Sequence, residues 1–198
     1  MWPHVVENPL LYECTEAIQD GFPKVIQSSN VSIFHYARGW KDTAQTAQLI
    51  QSIETSAADS IAVYDRFATV PDLTFIIVQL LDKDIQAETR IPQQGLSCQI
   101  LIFPIMLSYA PANQTQILAH EIYHCVQLEI FKIAVPESDS EGGRFPPYDW
   151  WIDGSAEYMS NVVYPKTQEE WEWEEVYDPR VPIYRQGYAA SIFFQWME

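Results

Sequence analysis

The chain has 198 residues, enough for one domain or two small lobes around a cleft, and its 47% hydrophobic content with 14% aromatics is material for a substantial core. A net charge of −16 argues against nucleic acid and anionic membranes as partners and favours basic peptides. No apolar stretch approaches the length that spans a bilayer, and no N-terminal segment has the charged, apolar, then small-residue layout of a signal peptide, although the numbering is equally compatible with a start after one.

Residues 1–30 carry Pro3, Pro9 and Pro23 and read as irregular, with one short helix around Glu13–Asp20. Val31 to Tyr36 alternates as a strand does. From Asp42 to about Ala68, apolar residues at Ala47, Ile50, Ile53, Ala57, Ile61, Tyr64 and Ala68 recur at helical spacing, with Asp42 or Thr43 as cap and Pro71 as stop. Leu73–Leu81 and Ser97–Phe103 are apolar runs suited to buried strands, and Pro104 closes the second. Asn113 is the expected cap of a helix running to about Phe131. Residues 136–147, with paired glycines and prolines, read as a loop. Asp149–Val163 reads as a further helix, residues 169–175 as a solvated acidic segment, and Ala189–Met197 as a last helix. The whole predicts an α+β domain over residues 1–198, with a small mixed or antiparallel sheet and a long helix in an N-terminal lobe (about 31–131) and a helical lobe after it (about 132–198). Three cysteines, Cys14, Cys98 and Cys125, allow at most one intrachain disulfide, and Cys125 reads as a packed apolar residue. Two glycosylation sequons, at Asn30 and Asn113, with low lysine and high acid content, suit an extracellular protein.

The helix after Asn113 carries His120-Glu121-Ile122-Tyr123-His124. In this H-E-x-x-H spacing both imidazoles point the same way, one turn apart, and can grip one zinc ion. Glu121 faces the same cleft and is placed to take a proton from a metal-activated water. A catalytic zinc needs a third protein ligand and an open position. Trp151-Ile152-Asp153-Gly154-Ser155-Ala156-Glu157-Tyr158 offers two carboxylates one turn apart. One can bind the metal, and the other can accept a hydrogen bond from the far nitrogen of a metal-bound histidine. Trp150, Trp151, Ile152, Ala156, Tyr158 and Met159 around them predict a buried setting, in which carboxylates need partners.

These two stretches resemble the zinc-binding half of the gluzincin metallopeptidases, the group of thermolysin, the bacterial collagenases and the aminopeptidase N family. The second motif of that group reads roughly W-x-x-E-G-x-A-x-Y, with the Glu before the Gly as third ligand. The resemblance therefore implies zinc held by His120, His124 and Asp153, with Asp in place of Glu and a helix lying closer to the metal, and Glu157 as hydrogen-bond partner of His120 or alternative ligand. Tyr184-Arg185-Gln186-Gly187 is similar to a Y-x-K-G segment whose tyrosine stabilises the oxyanion, which puts that role on Tyr184 and leaves Tyr188 as packing. It also implies a zincin-like fold with the zinc cleft between the lobes, and a substrate backbone added beside the Ser97–Phe103 strand. The acid that captures a substrate amino terminus in aminopeptidases is absent from Gly95-Leu96-Ser97-Cys98-Gln99, so the implied activity is that of an endopeptidase. The resemblance covers about half the chain; relatives continue through more helices, so this is a minimal member or lacks a C-terminal part. The other readings of the same residues are a non-catalytic metal-binding interaction protein and a zinc hydrolase of a non-peptide amide or ester.

Overall fold

A computed structural model describes residues 24–27, 31–35, 44–78, 85–90, 97–131, 149–167 and 176–197. The expected helix at 13–20, the caps at Asp42 and Thr43, the loop at 136–147, the acidic run at 169–175, Asn30 and Cys14 lie outside them. The class is α+β, with five strands, β1 (Lys24–Gln27), β2 (Val31–His35), β3 (Leu73–Ile77), β4 (Ala87–Arg90) and β5 (Cys98–Ile102), in one mixed sheet of order β1-β2-β3-β5-β4. β2, β3 and β5 run parallel; β1 and β4 are antiparallel edges. β1 corrects the irregular reading of residues 1–30 at that point. β5 also lies inside the sheet, hydrogen-bonded on both sides, so no substrate strand can add to it; the edge on that side of the sheet is β4.

The parallel strands β3 and β5 are largely buried on both faces, as their near-continuous apolar sequences require. Phe75, Ile77, Ile100 and Ile102 face one core, while Ile76, Val78, Leu101 and Phe103 form a second cluster. Against the first face lie helix α1 (Ala44–Tyr64) and helix α2 (Pro111–Phe131), through Leu49, Ile53, Ala57 and Tyr64 of the one and Leu118, Ile122, Cys125 and Val126 of the other. The face of α1 is rotated from the expected one. Ala47 is exposed and Ile50 and Ile61 are half-buried, whereas Ser52, Ser56 and Ser60 are buried. Small hydroxyl side chains let the two helices approach: Ser56 donates to the Thr115 carbonyl at 2.8 Å and Ser52 to Gln114 Oε1 at 2.8 Å. The Gln114 amide in turn holds the carbonyls of Met106 and Tyr109 in the turn before α2.

α2 does not begin at Asn113. Ala110 accepts the first helical bond, from Gln114 N at 2.9 Å, and Pro111 takes the first helical position, where its missing N–H costs nothing. A disulfide joins Cys98 at the start of β5 to Cys125 on α2, with Cα atoms 5.8 Å apart, and Tyr64 donates to the Ala119 carbonyl at 3.1 Å. The histidine helix is thus pinned to the sheet and to α1 on either side of His120.

Helix α3 (Asp149–Val163) packs across α2. Behind it come two 3-10 turns, Ile183–Arg185 and Gly187–Ala190, and helix α4 (Ser191–Met197), which begins two residues later than the sequence suggests. Gly187 joins the turns with φ of +54°, a conformation other residues adopt only with strain. Trp150, Trp151, Phe193 and Phe194 pack together where α3 meets α4, Trp150 stacking on Phe194 and the other rings meeting edge to face. Trp151 itself is exposed, not buried as its surroundings in sequence suggested. No described helix is long and apolar enough to cross a membrane.

Candidate metal centre

His120 and His124 sit one turn apart on α2, and Asp153 comes to them from α3. One ligand atom from each lies within 4.8 Å of the others, and this group could hold a metal ion. The Nε2 atoms of the two histidines are 3.0 Å apart, and His124 Nε2 is 3.8 Å from Asp153 Oδ1. A tetrahedral zinc ion holds its ligand atoms about 3.3 Å apart, between those two values.

The outer nitrogens are both engaged. His120 Nδ1 lies 3.0 Å from Glu157 Oε2, and His124 Nδ1 lies 2.7 Å from Gln127 Oε1. With both outer nitrogens donating, two neutral rings would aim lone pairs at each other across 3.0 Å. Only a cation between them, or a proton on one, relieves that contact. This donor set therefore fits a metal. Burial is the largest influence on His120 and opposes its protonation, but the hydrogen bond and charge of Glu157, with Glu121 and Asp153, outweigh it and raise its pKa. His124 is lowered to about 3 by burial and then by the neighbouring His120, against the hydrogen bond to Gln127.

Glu121 points to β4. Its Oε2 is 2.7 Å from the Thr89 hydroxyl, which also lies 2.8 Å from the Glu121 carbonyl. Burial raises the Glu121 pKa, opposed by the charge of His120 and by the Thr89 hydrogen bonds. The carboxylate thus lies buried between the histidine helix and the edge strand.

Glu157, on the buried side of α3, bonds His120, while Asp153 one turn earlier remains partly open to solvent. Gly154 between them is where α3 meets the start of α4: a Cβ there would lie 2.8 Å from Ala190 Cβ and 3.1 Å from the Ala190 carbonyl carbon. Tyr184 is 50% exposed, with the Arg185 guanidinium 5.7 Å from its ring centre. Tyr188, four residues on, is the tyrosine that meets the cluster: its ring stacks on His120 at 5.4 Å, and at 37% exposure it is not the core residue expected.

Two contributors went unread in the sequence, and a third, Tyr188, was read as packing. Gln127 extends the histidine motif by one turn, a spacing that could have marked it. Thr89 belongs to a short strand with little apolar content, and Tyr188 resembles any aromatic at helical spacing. No family model, curated protein or solved structure matches the chain.

Proposed function

We propose that this protein is a zinc-dependent metallopeptidase of the gluzincin type, an endopeptidase, with His120, His124 and Asp153 holding the metal and Glu121 as general base. The observation that carries the reading is the convergence of two imidazole nitrogens and one carboxylate beside a buried glutamate. A purely structural zinc has four protein ligands and no use for Glu121; three ligands leave a position for water. The arrangement of a mixed sheet, an antiparallel edge strand and a histidine helix packed on one face supports a zincin-like fold.

A metal held by His120, His124 and Asp153 would polarise the scissile carbonyl and acidify the attacking water. Glu121 takes one proton from that water as its oxygen adds to the carbonyl carbon, and delivers it to the departing amine nitrogen as the C–N bond breaks. Thr89 keeps the carboxylate of Glu121 aimed while it changes protonation state. Glu157 accepts from His120 Nδ1 and so turns Nε2 inward. The substrate backbone lies along the outer edge of β4, the strand that carries Thr89, since β5 has no open edge. Tyr184 is the oxyanion donor by resemblance, and Tyr188 competes for the role by position.

The test is metal analysis of purified protein with digestion of a broad peptide library, with and without a chelator. One zinc per chain and chelator-sensitive internal cleavage are expected. Full zinc loading with no cleavage of any peptide would favour a non-catalytic metal-binding protein.

A further inference from the structure

Gln127 sits on α2 almost one turn past His124 and is buried between α2 and α3. Its Oε1 lies 2.7 Å from His124 Nδ1, and its Nε2 donates to the Ile152 carbonyl at 3.0 Å and to Ser155 Oγ at 2.8 Å. We propose that Gln127 is a positioning residue of the metal centre, which fixes the tautomer of His124 and ties the backbone next to Asp153 to the histidine helix. This rests on the metal reading above and extends it to a residue outside the ligand set.

The Ile152 carbonyl can only accept, so the group facing it is the NH2 of the Gln127 amide. The amide oxygen then faces His124, and an oxygen there requires a proton on Nδ1. That leaves the lone pair of His124 on Nε2, on the side of His120 and Asp153. One backbone carbonyl on α3 thereby dictates which nitrogen of a histidine on α2 can bind a metal. Ile152 directly precedes Asp153, so the same side chain holds the second and the third ligand together. The two histidines are also supported differently, His120 by a carboxylate and His124 by a neutral amide.

Two variants separate positioning from packing. Gln127→Met has similar length and no hydrogen bonds. Gln127→Glu keeps an acceptor for His124 but loses both donors to α3. Both are expected to lower the thermal stability of the metal-free protein. Zinc affinity, from competition with a chromogenic chelator, is expected to fall about 10- to 100-fold in Gln127→Met and to recover to within about tenfold of the natural protein in Gln127→Glu. Equal zinc affinities in the two variants, or an unchanged affinity in Gln127→Met, overturn the proposal. A readout that needs no metal and no variant is the imidazole nitrogen spectrum of the metal-free natural protein, where His124 should carry its proton on Nδ1. Finding it on Nε2 overturns the proposal even if the variants do not fold. Failure of the metal reading shows separately, as a natural protein that takes up no zinc, and the hold of Gln127 on His124 is then decided by whether the Nδ1 proton is present.

Discussion

At the scale of single residues, substitutions separate the proposed chemistry from metal binding. Glu121→Gln keeps the shape and the hydrogen-bond reach to Thr89 but cannot take a proton, so zinc content should stay at one per chain while peptide hydrolysis is abolished. Retained turnover would point to another base. Glu157 bonds His120 from outside the cluster, whereas Asp153 belongs to the group that could hold a metal ion. Glu157→Gln should therefore cost about 10- to 100-fold in zinc affinity, and Asp153→Asn more; the reverse order, by chelator competition, would hand the ligand role to Glu157. Tyr184→Phe should lower kcat about 100- to 1000-fold with zinc content unchanged if its hydroxyl is the oxyanion donor. Tyr188→Phe keeps the ring on His120 and loses only the hydroxyl, so a loss of that size there instead moves the role to Tyr188. That His120 pairs with His124, and Asp153 with Glu157, was legible because i to i+4 spacing on a helix is itself a statement of direction; that the two pairs meet was an expectation of the motif resemblance. Thr89 and Gln127 were not, because their partners are set by how α2 meets β4 and α3, which no local pattern encodes.

At the scale of elements, long periodic segments were the legible ones. α3 occupies the predicted Asp149–Val163, and β2, β3 and β5 lie within the predicted runs. The failures have physical causes. β1 and β4 are four residues each, too short to show a period, and α1 turns its serines inward because close helix packing with hydrogen bonds can replace apolar burial. α2 starts with a proline that propensity alone would set outside a helix. Gly154 shows an element contact that sequence marks only as a motif position. Gly154→Ala would push a methyl into Ala190, with backbone atoms of Ala190 and Ser191 at 3.1 and 3.2 Å leaving little room to yield. A loss of about 1–3 kcal/mol in stability is expected from the forced shift, read by thermal or urea denaturation. Because α3 carries Asp153 next to that contact, zinc affinity should fall with it; a variant as stable as the natural protein would mean that α3 and α4 separate at no cost.

At the scale of the molecule, the sheet order was not readable, since strand pairing depends on contacts distant in sequence, and the disulfide was not, since three cysteines leave the pairing open. The Cys98–Cys125 bond closes a separation of 27 residues and joins the interior strand β5 to the helix that holds both histidines, one residue beyond His124. In the chain-entropy view a loop of that length limits the unfolded ensemble by about 3–4 kcal/mol. Replacing both cysteines by alanine should therefore lower Tm by about 10 °C, since 1 kcal/mol is worth about 2–4 °C in a chain of this size. Neither cysteine belongs to the group that could hold a metal ion, so the variant should still bind zinc, and saturating zinc should restore part of the lost Tm because the ion binds only the folded form. Scanning calorimetry of both proteins, with zinc and with chelator, measures the two effects at once. A variant that melts with the natural protein would show that the sheet and α1 hold the histidine helix without the bond; one that folds but no longer takes up zinc would show that the bond itself sets the spacing of His120 and His124.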